Sequence, residues 1–186
     1  ILGGSVTYVS LVTTRLEGTV SIISKVGGDF PEAYMWWLRQ EGIDLSGVVR
    51  LGTEQTTRFE LKYSNDLSSR TLSLKSKASP INVSDLPSSM RARAIHIAPI
   101  AGEISYEVVE RLKHRADVLS FDPQGLLRSF DEAGNVTYCS PVDKRLLSLI
   151  NIYKSSKDEI STLTGYSNLN SAIKAVHDLG VETVLV

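Results

Sequence analysis

Residues 94–122, "AIHIAPIAGEISYEVVERLKHRADVLSFD", set the architecture. AIHIAP (94–99) is a short apolar run closed by proline, which predicts a strand. EISYEVVERLKHR (103–115) carries apolar residues at helical spacing among charged ones, which predicts an amphipathic helix. DVLSFD (117–122) predicts a second strand. Two strands joined by one helix imply a parallel crossover. In such sheets ligands bind beyond the carboxyl ends of the strands, so the residues just after each strand are the first candidates for a site.

The same rhythm continues outward. Toward the C-terminus, LLSLINIY (146–153) contains a strand, KDEISTLTG and NLNSAIKAVHDLG read as helices, and ETVLV as a last strand. PQGLLRSFDEAGN reads as a loop with helical potential. Toward the N-terminus, SVTYVSLVTTRL (5–16) has helical apolar spacing, TVSIIS (19–24) is a strand, and KVGGD (25–29) is a glycine turn. PEAYMWWLRQEG is a helix with Pro31 in its first turn and Gly42 at its end. Trp36 and Trp37 read as helix-to-sheet packing, with room for one of them to be exposed. The middle breaks the rhythm: VVRL (48–51), TTRFELKY (56–63) and RTLSLKS (70–76) are three short strands without helices between them. The turn cluster NDLSS (65–69) predicts a hairpin. These strands read as a small antiparallel sheet, over about 47–78, inserted into an α/β body.

Composition excludes several classes. Lys+Arg 20 against Asp+Glu 21 leaves a net charge of −1, so no basic field points to nucleic acid. A single cysteine, Cys139, excludes an internal disulfide framework and suits a reducing, cytoplasmic setting. No apolar run approaches the roughly 20 residues of a membrane helix. His96, His114 and His177 form no pair with metal-ligand spacing. The chain opens at Ile1-Leu2-Gly3-Gly4 and stops inside an apolar strand, so a fragment of a larger protein is expected.

Several strand ends carry polar groups with two readings each. Gly3-Gly4 before a helix is a turn or a close approach of backbone to ligand. Asp29 is a helix cap or a hydroxyl acceptor. Glu103 complements a helix dipole or accepts from a polyol. Asp122-Pro123-Gln124-Gly125, with Arg128, is an Asp-Pro turn or a group suited to hydroxyl and phosphate recognition. After Lys154, Ser155 or Ser156 with Asp158 or Glu159 three residues on reads as a capping box, or Lys154, Ser156 and Glu159 read as the rim of a metal-phosphate site.

The order of these segments resembles the PfkB, or ribokinase-like, family of sugar and nucleoside kinases, from Gly3 to Val186. The resemblance rests on the Gly-Gly before a helix, SKVGGDFPEAYMWWLRQEGIDLSGV, TTRFEL, HIAPIAGEIS, SFDPQGLLR and KSSKDEISTLTG. It implies a mostly parallel sheet flanked by helices, a three-layer α/β/α fold, with a small antiparallel β lid. It implies ATP- and Mg²⁺-dependent phosphoryl transfer to a sugar or inositol-like cyclitol, with nucleosides as the alternative acceptor. Gly3, Gly4, Asp29, Thr57, Phe59, Glu103, Gln124 and Arg128 would bind substrate. Lys154 and Ser156 would face the phosphates, and Glu159 the metal.

Two departures accompany the resemblance. Ser156 stands where the Asn-x-x-Glu motif has asparagine. The Gly-Ala-Gly-Asp motif, which supplies anion hole and base, is absent and would lie beyond Val186; an initial strand would precede Ile1. The 186 residues are therefore expected to be an incomplete kinase domain, inactive alone, and the lid to mediate a homodimer. A non-catalytic sugar-binding or regulatory module is the reading from another class. A dinucleotide-binding Rossmann enzyme is disfavoured by the missing glycine fingerprint.

Overall fold

The computed structural model describes residues 1–139 and 142–186. The chain forms two compact units, residues 1–87 with 132–135, and residues 88–131 with 136–186.

In the first unit, α1 (Ser5–Arg15) leads to β1 (Val20–Gly27), α2 (Glu32–Gln40) and β2 (Ile43–Leu51). β1 and β2 pair in parallel, with α1 and α2 packed on them. Ile22, Met35, Leu38, Ile43 and Leu45 are the buried centre, ringed by Leu2, Val6, Leu11, Val20, Phe30 and Val48. Met35 and Leu38 lie three residues apart on one face of α2. The adjacent tryptophans therefore turn outward: Trp36 is 63% and Trp37 36% exposed. One exposed tryptophan is expected, and Trp36 is it; Trp37 is exposed as well, by about a third.

β3 (Arg58–Tyr63) and β4 (Arg70–Ser76) form the antiparallel hairpin that alternation predicted. Asp66 closes its turn, accepting from the hydroxyls of Ser64 and Ser68. The third expected lid strand is not there. Residues 48–51 are the end of β2, parallel to β1 with Val48 opposite Ser24 and Leu51 opposite Gly27. Alternate burial of Ile43, Leu45 and Gly47 shows a half-buried strand starting five residues earlier than read.

The second unit holds a parallel sheet of β5 (Ala92–Ile97), β6 (Ala116–Phe121), β9 (Ile152–Lys154) and β10 (Thr183–Leu185), in the order β10-β9-β6-β5. α3 (Tyr106–Lys113) connects β5 to β6, while α4 (Lys157–Thr164) and α5 (Leu169–Asp178) connect β9 to β10. Val109, Leu119, Phe121, Leu147, Tyr153, Ile160 and Val176 are completely or almost completely buried. Burying each large apolar side chain contributes about 1.5–3 kcal/mol.

Two local expectations are modified here. Residues 128–138 form a hairpin, β7 (Arg128–Phe130) with β8 (Val136–Tyr138), where helical potential was read. The 3₁₀ turn of Lys144–Leu149 takes the first half of the 146–153 segment, so the strand it contains is only β9, at its end. Asp143 opens that turn by accepting from the Arg145 amide, which diverts the segment before an extended backbone can begin. Leu146 and Leu147, the apolar pair that suggested a strand, are buried by the turn instead.

Candidate functional site

In the first unit the site residues gather where β1 ends. Gly27 and Gly28 are required there because the 52–56 backbone passes directly over them. A Cβ on Gly27 would lie 2.4 Å from the Glu54 carbonyl oxygen, and one on Gly28 2.5 Å from that of Gly52. The crossing places Thr56 against Asp29. Its amide donates to Asp29 Oδ1 at 2.7 Å and its hydroxyl to the same oxygen at 2.8 Å. Arg58, at the start of β3, donates to Asp29 Oδ2.

Asp29 therefore does not cap α2, whose N-cap is Pro31; it clasps the base of the hairpin. The Thr56 amide and hydroxyl, and after them the Arg58 charge, hold its carboxyl below the usual range. Thr57, expected to bind substrate, has its hydroxyl accepting from the Ala78 amide at 3.0 Å. Phe59 is half-buried in β3 opposite Leu74. Gly3 and Gly4 precede α1 as read, Gly4 being its N-cap with φ 91°.

In the second unit the carboxyl ends of β5, β6 and β9 carry the other candidates. Gly125 is the close-approach glycine: a Cβ there would lie 2.3 Å from the Pro99 carbonyl carbon, and its amide donates to the Pro99 oxygen at 2.9 Å. This seats the Asp122–Gly125 loop on the Pro99–Glu103 loop. Glu103 is not in the first turn of α3, which is N-capped by Ser105. Its carboxylate accepts from the amides of Ile100 at 2.8 Å and Ala101 at 2.7 Å. Arg128 Nη1 donates to the Ile100 carbonyl at 3.2 Å, so Glu103 and Arg128 meet at residue 100.

Asp122, read from the sequence as part of the Asp122–Arg128 group but not as a partner of Lys154, is the hub of this rim. Oδ1 accepts from the Gln124 amide at 3.1 Å and Oδ2 from Lys154 Nζ at 3.0 Å. Below it, His96 Nδ1 and Ser120 Oγ are 3.0 Å apart. Burial lowers the His96 pKa; Asp122 opposes that shift and Lys154 reinforces it. The available sequence signal was an acid and a lysine each ending an apolar strand.

Ser156 and Glu159 form the capping box of α4. Glu159 is 5% exposed, and its Oε2 accepts from the Ser156 amide at 2.7 Å and hydroxyl at 2.9 Å. Among the described residues no group of three or more His, Cys, Asp or Glu side chains converges on a metal position. Magnesium bound largely by waters and phosphates needs only one or two carboxylates. One buried carboxylate with an oxygen committed to a cap fits contact through water, not a direct protein ligand set.

The profile described as pfkB family carbohydrate kinase matches residues 2–186. This chain belongs to the pfkB family. The cytidine kinase of Thermococcus kodakarensis (strain ATCC BAA-918 / JCM 12380 / KOD1) is 24% identical over 99% of this chain and 63% of its own length. The inositol 3-kinase of Arabidopsis thaliana is 28% identical over 85% of this chain and 44% of its own. A solved pyrophosphate-dependent kinase in the ribokinase family, complexed with a pyrophosphate analog and myo-inositol, superposes with a TM-score of 0.84 at 26% identity. That match covers 99% of this chain and 64% of the solved one. The pfkB chain thus has the ribokinase-like α/β/α fold and spans less than two thirds of the length of these relatives.

Proposed function

We propose that the intact protein transfers a phosphoryl group to a hydroxyl of a small sugar or cyclitol, an inositol-like ring being the favoured acceptor. The observation that carries this reading is the rim at the ends of β5, β6 and β9. There a buried acid holds a lysine beside an amide-rich loop, in a family of hydroxyl kinases. In the second unit Glu103, Gln124 and Arg128 serve the acceptor and Lys154 and Ser156 the phosphates. In the first unit Gly3, Gly4, Asp29, Thr57 and Phe59 serve the acceptor. For Glu103 and Thr57 this role rests on family membership, since their polar groups already serve backbone partners.

ATP is the proposed donor. Pyrophosphate is a second reading, favoured by the 26% identity to the pyrophosphate-dependent kinase. Magnesium, when bound near Glu159, would neutralise donor charge. Such transfer is mostly positioning and charge compensation. Asp29 would orient an acceptor hydroxyl, and Lys154 would compensate charge developing on the transferring group. The hairpin of β3 and β4, hinged on the Asp29 clasp, would exclude water.

The catalytic base is proposed to come from chain outside these 186 residues, leaving them inactive alone. The protein is placed in the cytoplasm and as a homodimer through the hairpin; among the described residues no helix is long and apolar enough to cross a membrane. A nucleoside acceptor is the alternative within the family. A panel of myo-inositol, hexoses, cytidine and other nucleosides, offered to the full-length protein with each donor, decides between them. The reading predicts the highest kcat/KM for a cyclitol or sugar; a nucleoside ranking first would overturn that choice.

A further inference from the structure

We propose that Asp122 is a positioning residue that aims Lys154 at the phosphates of the donor. The inference rests on the kinase reading above and adds to it the residue that makes Lys154 effective. β6 and β9 pair in parallel with Ser120 opposite Ile152 and Phe121 opposite Tyr153. The next step of that register brings Asp122 and Lys154 side by side at the carboxyl ends of the strands. The sheet itself sets the pair.

The two partners are unequally buried. The Asp122 side chain is 8% exposed and that of Lys154 54%. A buried carboxylate needs its cation, so the ammonium is drawn to one place on the rim. An ammonium carries three donors. With one on Asp122 and half of its side chain in solvent, the lysine keeps donors for an arriving anion. A solvated lysine on its own flexible stem would have to be immobilised by the ligand, at a cost in affinity. Asp122 performs that ordering beforehand.

Lys154 is the cation paired with Asp122. Asp122 Oδ1 is occupied by the Gln124 amide. His96, a further basic group in electrostatic reach, is held toward its neutral form chiefly by burial. An anion on the solvent side of Lys154 would then see an ammonium backed by a carboxylate at a fixed position. The chemistry recognised is a phosphate dianion, whether it belongs to a nucleoside triphosphate or to pyrophosphate.

The test uses the full-length protein, with ATP and pyrophosphate as separate probes in calorimetric titrations and steady-state kinetics. Asp122→Asn keeps an oxygen for the Gln124 amide but removes the charge. It should weaken binding of the true donor and raise its KM roughly ten- to a hundredfold, the range set by a charge-assisted hydrogen bond. The acceptor KM should stay within about twofold, since the reading above gives the acceptor other residues than this pair. Lys154→Gln should do the same, and the double variant should be no worse than Lys154→Gln alone, because both act through one contact. Asp122→Glu should recover part of the loss.

Unchanged donor binding in Asp122→Asn, or donor and acceptor KM rising together, overturns the proposal and leaves a merely structural ion pair. Wild-type protein that binds one donor, and loses that binding in Asp122→Asn without transferring phosphate, supports the clamp and removes the kinase reading. Binding of neither donor by the wild type overturns both.

Discussion

At the scale of single residues, the polar groups of the rim serve the fold first, and their chemistry is built on top. His96 gives this a measurable form. Its native pKa is lowered, chiefly by burial, so between that value and the unfolded value of about 6.5 the unfolded chain binds more protons than the native one. Stability linked to His96 is therefore present above about pH 6.5 and is lost as pH falls through that value toward the lower native one. Urea unfolding at pH 7, 6 and 5 should show this decline, and His96→Gln should flatten it. Carboxylates held low, such as Asp29 and Asp85, act with the same sign from about pH 5 downward, so the step from pH 7 to pH 6 reports His96 most cleanly. An identical decline in His96→Gln would assign it to other groups. Asp29, Gln124 and Arg128 could be named from sequence because each follows a predicted strand. The partners that define them, Thr56, Arg58 and Ile100, could not, because backbone crossings separated by 20 or more residues bring them in.

At the scale of elements, regular periodicity was readable and short, polar pairing was not. α5 announces itself by an asparagine cap, with Asn168 accepting from the Ser171 amide, and α4 by its capping box and the left-handed Gly165. Both ends are local physics. The β7–β8 hairpin has strands of three residues with half-exposed side chains, so no apolar alternation marks it. β2 was legible only in its second half, 48–51, because its first half alternates apolar Ile43 and Leu45 with polar Asp44 and Ser46 around Gly47. The α4 cap separates two roles for Ser156. Ser156→Ala should lower stability by about 1 kcal/mol, read by thermal or urea unfolding. Ser156→Asn retains a capping oxygen and should stay within about 0.5 kcal/mol of wild type. If Ser156 also touches phosphate, Ser156→Ala raises the donor KM; an unchanged KM would confine it to the cap.

At the scale of the whole molecule, the α/β class followed from one crossover and the order of its neighbours, and the pfkB match over residues 2–186 agrees with it. The proposed dimer follows from the β3–β4 hairpin, which exposes Leu61 and Tyr63 by about half and Leu67 by 75%. Exposed strand edges with apolar side chains favour pairing with a second copy. Sedimentation at micromolar concentration should give a dimer, shifted toward monomer by Leu61→Lys; a monomeric wild type would remove the proposal. The central claim is tested most directly by ³¹P NMR of the full-length protein with myo-inositol, magnesium and either ATP or pyrophosphate. The account predicts a new phosphomonoester resonance on the cyclitol with one of the two donors. Donor hydrolysis without a phosphorylated product, or no reaction with any sugar, cyclitol or nucleoside, would contradict it.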